Sequence, residues 1–260
     1  PDPELSPLRT ATVWQLRLPR VLLAAVAGAG PDELMGRAAE AMTAAGCAFT
    51  GQIVSAPRGE DLDRWGQAPE LEEELVRGAP ERAAAQVAER GRHVVRTGWS
   101  RRGGGPMALS ICRPPEPELL LVDLVMAAGA LGLPPDARSG RERSYARSRW
   151  SLAVRLLRAL AQGAGALYAG AGIEMILPLP GEFAAPPPNA PSLWWVSSRL
   201  EDARGEGVGA ALAGTAKSRS TPTGALIHLH DPVRARSVAA DDAQARLLGF
   251  MAEALGRGRR

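Results

Sequence analysis

The stretch from His93 to Cys112, HVVRTGWSRRGGGPMALSIC, decides the fold class. His93 to Trp99 alternates apolar and polar residues and predicts a strand, Arg101 to Pro106 is a glycine-rich loop, and Met107 to Cys112 predicts a second strand. Two strands joined with no helix between them form a hairpin, here with a long tip, and hence an antiparallel pair. Beyond Pro114, Pro115 and Pro117, Leu119 to Ala127 predicts a third, strongly apolar strand. Neighbours linked in this way favour an α+β fold, with a mixed or antiparallel sheet packed by helices, over a doubly wound parallel sheet.

Toward the N-terminus, Val13 to Leu18 and Arg20 to Ala27 are extended on either side of Pro19. Asp32 is placed to N-cap a helix whose Leu34, Met35, Ala38, Ala41, Met42 and Ala45 recur at helical spacing, and Gly46 ends it. Cys47 to Ser55 follows as a short strand, then a polar stretch from Arg58 to Glu74 and a helix from Ala79 to Glu89. Toward the C-terminus, Ser148 to Leu167 is a helix with Leu152, Leu156, Ala159, Leu160 and Ala164 on one face, closed by Gly170 and Gly172. Ile173 to Leu177 is a strand candidate. Strand Ser192 to Ser198, helix Glu201 to Leu212, strand Gly224 to His230 and helix Asp241 to Leu255 complete the pattern. The expected organisation is an α+β lobe over residues 1–177, a Pro-rich loop or linker over 178–191, and a βαβα segment over 192–260 packed into the same domain, with two α/β lobes as the alternative.

The chain has 260 residues, with 31 basic and 28 acidic side chains and a net charge of +3. Its 45% apolar and 23% charged residues are a globular composition, not a disordered one. No apolar run reaches the roughly 18–20 residues of a membrane helix. Cys47 and Cys112, each in an apolar stretch, are expected to be buried free thiols, which suits a reducing cytoplasm.

Four groups of residues bear on chemistry. Gly28-Ala29-Gly30 sits where a dinucleotide fingerprint would, but Glu33 stands at the third glycine position and would repel a pyrophosphate, so no cofactor is expected. His228-Leu229-His230-Asp231 places two imidazoles on one face of a strand, and with Asp231 or His93 as a third ligand they would make a metal-assisted hydrolase. Seven arginines, Arg138, Arg141, Arg143, Arg147, Arg149, Arg155 and Arg158, face only Glu142. Only Tyr145 and Trp150 interleave with them, so a solvated helix face is the better reading and nucleic acid is not the expected partner. The acids between Glu60 and Glu74, including Glu72, Glu73 and Glu74, form a charged loop with Trp65 inside it. Trp65, Trp99 and one ring of the Trp194-Trp195 pair, taken as Trp195, are candidate contacts for a protein partner.

Arg96-Thr97-Gly98-Trp99 with Gly103-Gly104-Gly105-Pro106, the helix around Leu156 to Tyr168, Ser192-Leu193-Trp194-Trp195-Val196, and Thr223 to Asp231 resemble the corresponding passages of an uncharacterised, largely myxobacterial family. The closing pattern from the Trp strand onward is similar to the immunity protein 52 family of bacterial polymorphic toxin systems. The resemblance spans about Arg92 to Leu255. It implies a non-enzymatic cytoplasmic binding protein that neutralises a cognate toxin by steric and electrostatic occlusion. The alternatives are the metal-assisted hydrolase and an interaction module with no toxin partner.

Overall fold

The computed structural model describes residues 19–25, 30–56, 72–75, 94–112, 119–127, 129–132, 135–173, 175–183, 190–212, 215–234 and 238–257. Its strands are β1 (Pro19–Ala25), β2 (Ala48–Ala56), β3 (Glu72–Leu75), β4 (Val94–Arg101), β5 (Gly105–Cys112), β6 (Leu120–Met126), β7 (Ala166–Ile173), β8 (Leu193–Ser197), β9 (Lys217–Thr221) and β10 (Gly224–His228). They form a sheet in the order β3-β2-β4-β5-β6-β1-β7-β8-β10-β9, with antiparallel pairing throughout. The helices are α1 (Pro31–Ala44), α2 (Gly140–Ala164), α3 (Ser198–Arg204), α4 (Val208–Ala211) and α5 (Val238–Arg257). The fold is α+β.

The β4–β5 hairpin is present, but its tip is short. Pairing continues to Arg101 opposite Gly105, so Pro106 belongs to a strand, opposite Ser100. Gly103 and Gly105 take φ of 71° and 67°, a left-handed backbone that lets three residues reverse the chain. At α1 the N-cap is Gly30 and not Asp32: Pro31 opens the helix, and Asp32 and Glu33 sit in its first turn, where negative charge is favoured.

The central helix differs most from expectation. It starts at Gly140, eight residues before Ser148, because Ser139 and Glu142 form a reciprocal capping box: Glu142 N–H donates to Ser139 Oγ at 3.3 Å and Ser139 N–H to Glu142 Oε2 at 2.8 Å. These bonds hold the Glu142 carboxyl below its ordinary pKa. The helix ends at Ala164 because Gly165 adopts φ 67°. Ala166 and Leu167 therefore open β7, which also contains Gly170 and Gly172. Residues 175–179 are not a strand. The expected helix from Glu201 to Leu212 is split into α3 and α4, with Gly205 at φ 76° closing the first piece. Val13 to Leu18 and Ala79 to Glu89 lie outside the described residues.

Two cores lie on opposite faces of the sheet. On one, α1 and α2 bury Met35, Met42, Leu152, Leu156 and Leu160 against Trp99, Leu109, Leu124, Trp195 and Leu226. On the other, α3, α4 and α5 bury Leu200, Val208, Leu247 and Met251 against Tyr168, Trp194, Val196 and Ile227. The Pro-rich stretch leaves the sheet after β7 and returns to β8, its own antiparallel neighbour: Ala171 pairs with Leu193, and Ser192 N–H donates to the Ala171 carbonyl at 3.0 Å. Phe183 from this stretch packs edge-on to Tyr168, with ring centroids 5.3 Å apart, and the Tyr168 hydroxyl donates to the Pro178 carbonyl at 2.9 Å.

Candidate functional site

The tryptophans are core residues. Alternation on β8 sends Trp194 to one face and Trp195 to the other, and helices cover both faces, so the two rings are 0% and 1% exposed. Trp99 is likewise fully buried, tilted against Phe49 at 5.7 Å, with its indole N–H donating to Thr97 Oγ1 at 2.9 Å. Trp99 and Trp195 are therefore not exposed rings, which corrects the expectation that one ring of the Trp194-Trp195 pair is exposed; Trp195 only lines the wall of a shallow cleft with Ala161 and Pro222. Trp65 lies outside the described residues. Glu72, Glu73 and Glu74 do not belong to a loop: they lie in β3, the terminal strand of the described sheet, opposite Ser55, Val54 and Ile53 of β2.

The histidine pair does not share a strand face. β10 ends at His228, opposite Lys217 of β9 and Leu193 of β8, because Leu229 N–H and His230 N–H both turn to the Ser192 carbonyl, at 3.0 and 3.3 Å. His230 Nε2 lies 3.1 Å from Ser192 Oγ, and Asp231 Oδ1 accepts from Val233 N–H at 2.9 Å. Burial pushes the His228 pKa down, and the Lys217 charge adds to this against the opposing pull of Asp231. No group of three or more His, Cys, Asp or Glu side chains suited to a metal ion occurs among the described residues. His93 lies outside them.

The arginine block divides into structural and solvent-facing members. Arg138, 4% exposed, donates to the backbone carbonyls of Leu131 (2.9 Å), Val233 (3.1 Å) and Pro232 (3.3 Å), and so joins the entry to α2 to the segment after β10. Arg149 is also buried, and its Nε donates to the Tyr145 hydroxyl at 2.8 Å. Arg141, Arg143, Arg147, Arg155 and Arg158 are exposed on α2. Cys47 is a buried free thiol whose pKa is raised by that burial.

One polar group escaped the sequence reading. Arg96, Ser110 and Asp123 stand in a single cross-strand row on β4, β5 and β6, on the face away from α1 and α2, at 1%, 1% and 9% exposure. Arg96 Nε donates to Ser110 Oγ at 2.6 Å. The signal was available: Asp123 is an acid inside Leu-Leu-Val-Asp-Leu-Val-Met, where a buried charge requires a compensating group. A one-residue slip of any of these strands would carry its polar residue into the apolar core on the other face, so the row helps fix register.

The sheet edge at β9 is exposed. Its sequence, Lys-Ser-Arg-Ser-Thr, has no apolar residue on either face, and four of its five residues are exposed. Among the described residues it pairs with β10 only and is terminal in the sheet, so no described strand takes up its outward backbone donors and acceptors. The turn that presents it is fixed: the Thr221 hydroxyl donates to the Gly224 carbonyl at 2.8 Å, and Ser198 N–H donates to the Thr223 carbonyl at 3.1 Å. Gly224 has to be glycine, since a Cβ there would overlap the Val196 carbonyl oxygen. Lys217 and Arg219 alternate onto one face of this edge, and Ser218 and Ser220 onto the other.

No protein-family model matches the chain, and no curated protein matches it. No described helix is long and apolar enough to cross a membrane.

Proposed function

We propose that the chain is a non-enzymatic binding protein of the immunity type, which neutralises a toxin or effector by steric and electrostatic occlusion, and that β9 is its contact edge. The observation that carries this reading is the exposed edge strand with Lys217 and Arg219 on one face. An extended segment of a partner can add to such an edge through main-chain hydrogen bonds, while side chains select the partner. The two cations repel a second copy of β9 and favour an acidic strand, so the same charges discourage β9–β9 pairing and choose the ligand. The resemblance to immunity protein 52 supports the same reading.

The experiment is co-expression with the protein encoded by the neighbouring gene, followed by affinity capture and a toxicity assay. Capture and protection are expected, and both are lost in a Lys217→Glu, Arg219→Glu double variant that melts like the wild type. A chain that neither binds nor protects, or a double variant that still protects fully, would overturn the proposal.

A further inference from the structure

The outer face of α2 carries one sign of charge. At about 3.6 residues per turn, Arg141, Arg143, Arg147, Arg155 and Arg158 fall within one half of the helix circumference, opposite the half that buries Ala153, Leu156 and Leu160. Ser144, Ser148, Ser151 and Gln162 share that outer half and are exposed with them. Glu142 is the only acid in the helix, and its carboxylate is committed to the N-cap, where it accepts from Ser139 N–H at 2.8 Å. Among the described residues, none of these arginines has an ion-pair partner.

The other helices mix their charges. On α1, Arg37 pairs with Glu33; Arg204 of α3 lies 2.9 Å from Glu253 of α5; and α5 sets Asp241 and Asp242 before Arg246. On α2 the charges are placed against the helix's own electrostatics. Arg141 and Arg143 stand in its opening turn, at the positive end of the macrodipole. Arg143 and Arg147 are four residues apart and Arg155 and Arg158 three, spacings at which like charges repel. Gln or Glu would form the helix about as well. The arginines therefore oppose folding where those residues would not, and a polyanion laid along the face would relieve the repulsions together.

We infer that this face binds double-stranded DNA through its phosphates, without reading its sequence. From Arg141 to Arg158 the axis runs about 26 Å at about 1.5 Å per residue. That is the length of roughly eight base pairs at about 3.4 Å each, whereas a small anion would meet only one or two of the arginines. Guanidinium groups hold phosphate oxygens in bidentate fashion, and the serines between them are small donors that let a duplex approach. A single strand needs aromatic platforms, but Trp150 is buried, and Tyr145, exposed on the flank, already accepts from Arg149. The scarcity of aromatic residues therefore argues against a single strand and not against a duplex. A membrane surface needs an apolar face to insert, and α2 buries its own in the core. Double-stranded RNA has a narrow major groove, whereas that of B-DNA, about 12 Å wide, admits a helix. This face is apart from the β9 edge, and its role does not rest on the binding function proposed above.

Fluorescence anisotropy of a labelled DNA duplex of about 20 base pairs, titrated with the full chain between about 50 and 200 mM KCl, tests it. Saturable binding at low salt is expected, with similar affinity for unrelated sequences. Five phosphate contacts give a slope of log K against log salt of about −4.5, a loss of about 500-fold across that range. An Arg147→Gln, Arg155→Gln double variant should reduce the slope by about 1.8 and bind at least about tenfold more weakly at low salt. It should melt no lower than the wild type, because Gln keeps the helix and removes repulsion. Arg246→Glu makes the same change in net charge on α5, on the other side of the sheet, and should leave the affinity within about threefold of wild type. Several results would overturn the inference: no saturable binding of the duplex at low salt, a double variant that binds like the wild type, or an Arg246→Glu protein weakened as much as the double variant. Tighter binding to single-stranded DNA, duplex RNA or phosphatidylserine vesicles than to the DNA duplex would do the same.

Discussion

Replacing Arg138 with Met should destabilise the protein by about 3 kcal/mol, and the structure shows how that figure arises. The guanidinium serves three carbonyls, those of Leu131, Pro232 and Val233, at 2.9 to 3.3 Å, and Leu131, Val233 and Arg138 itself are all buried. Met keeps much of the volume but removes every donor. Each carbonyl left without a partner away from water costs about 1–3 kcal/mol. Against this, removing a guanidinium from the interior recovers desolvation free energy. Burial lowers the Arg138 pKa, against the opposing pull of Asp231. Three carbonyl penalties, less the recovered desolvation and some relaxation, leave about 3 kcal/mol, or roughly 6–12 °C in Tm for a chain of this size. Urea unfolding of wild type, Arg138→Met and Arg138→Lys measures it. Lys should recover part of the loss, since an ammonium has three donors but not the planar fork that reaches three separate carbonyls. A Met variant within about 0.5 kcal/mol of wild type would refute the reasoning, because surface substitutions that remove no buried contact behave in that way.

Two further outcomes follow from the same geometry. Gly224→Ala forces a methyl group into the Val196 carbonyl and toward the Trp195 ring, at the point where β8 meets β10; equilibrium unfolding should show a loss of about 2–4 kcal/mol, and an unchanged midpoint would contradict the close approach. The pH dependence of stability should carry a contribution from His228, whose folded pKa is depressed by burial, so that the unfolded chain binds the proton more readily. This contribution is therefore complete above the ordinary imidazole value of about 6.5 and is lost as pH falls through the folded value. A His228→Gln variant should lose less stability than wild type over that acid range, and parallel pH profiles for the two proteins would count against it.

The strands with large apolar residues were legible in the sequence, and the elements that lack contrast were not. Val94 to Cys112 and Leu120 to Met126 are rich in large apolar residues, and the antiparallel hairpin followed directly from them. β7 reads Ala-Leu-Tyr-Ala-Gly-Ala-Gly-Ile, and its small residues carry little hydrophobic contrast. The reason is steric. A Cβ at Gly170 would overlap Pro191, and one at Gly172 would come within 3.1 Å of Met175, so the returning Pro-rich chain lies directly on the strand. β9 was missed for the opposite reason: an edge with two solvated faces has the composition of a turn. The start of α2 was encoded in Ser139-Gly140-Arg141-Glu142, but an apolar-face reading begins only where the helix reaches the core.

The same contrast explains why the candidate contacts moved. A tryptophan in a chain with 4% aromatic residues invites a binding role, yet scarcity gives each large ring more of the core to fill. In a sheet covered by helices on both faces, adjacent strand positions are equally buried, so Trp194 and Trp195 are both interior although alternation sends them opposite ways. Under the proposed binding function, recognition is left to what a two-faced core cannot use: strands with no apolar face, and the outer faces of helices. β9 satisfies that condition along its whole length, whereas α2 satisfies it only on the side that carries Arg143, Arg147, Arg155 and Arg158. The edge offers directional main-chain bonding in addition to charge, and the helix face offers charge alone. Directional bonding holds under salt that screens exposed arginines, so a partner held by β9 should remain bound at an ionic strength that would release one held only by α2.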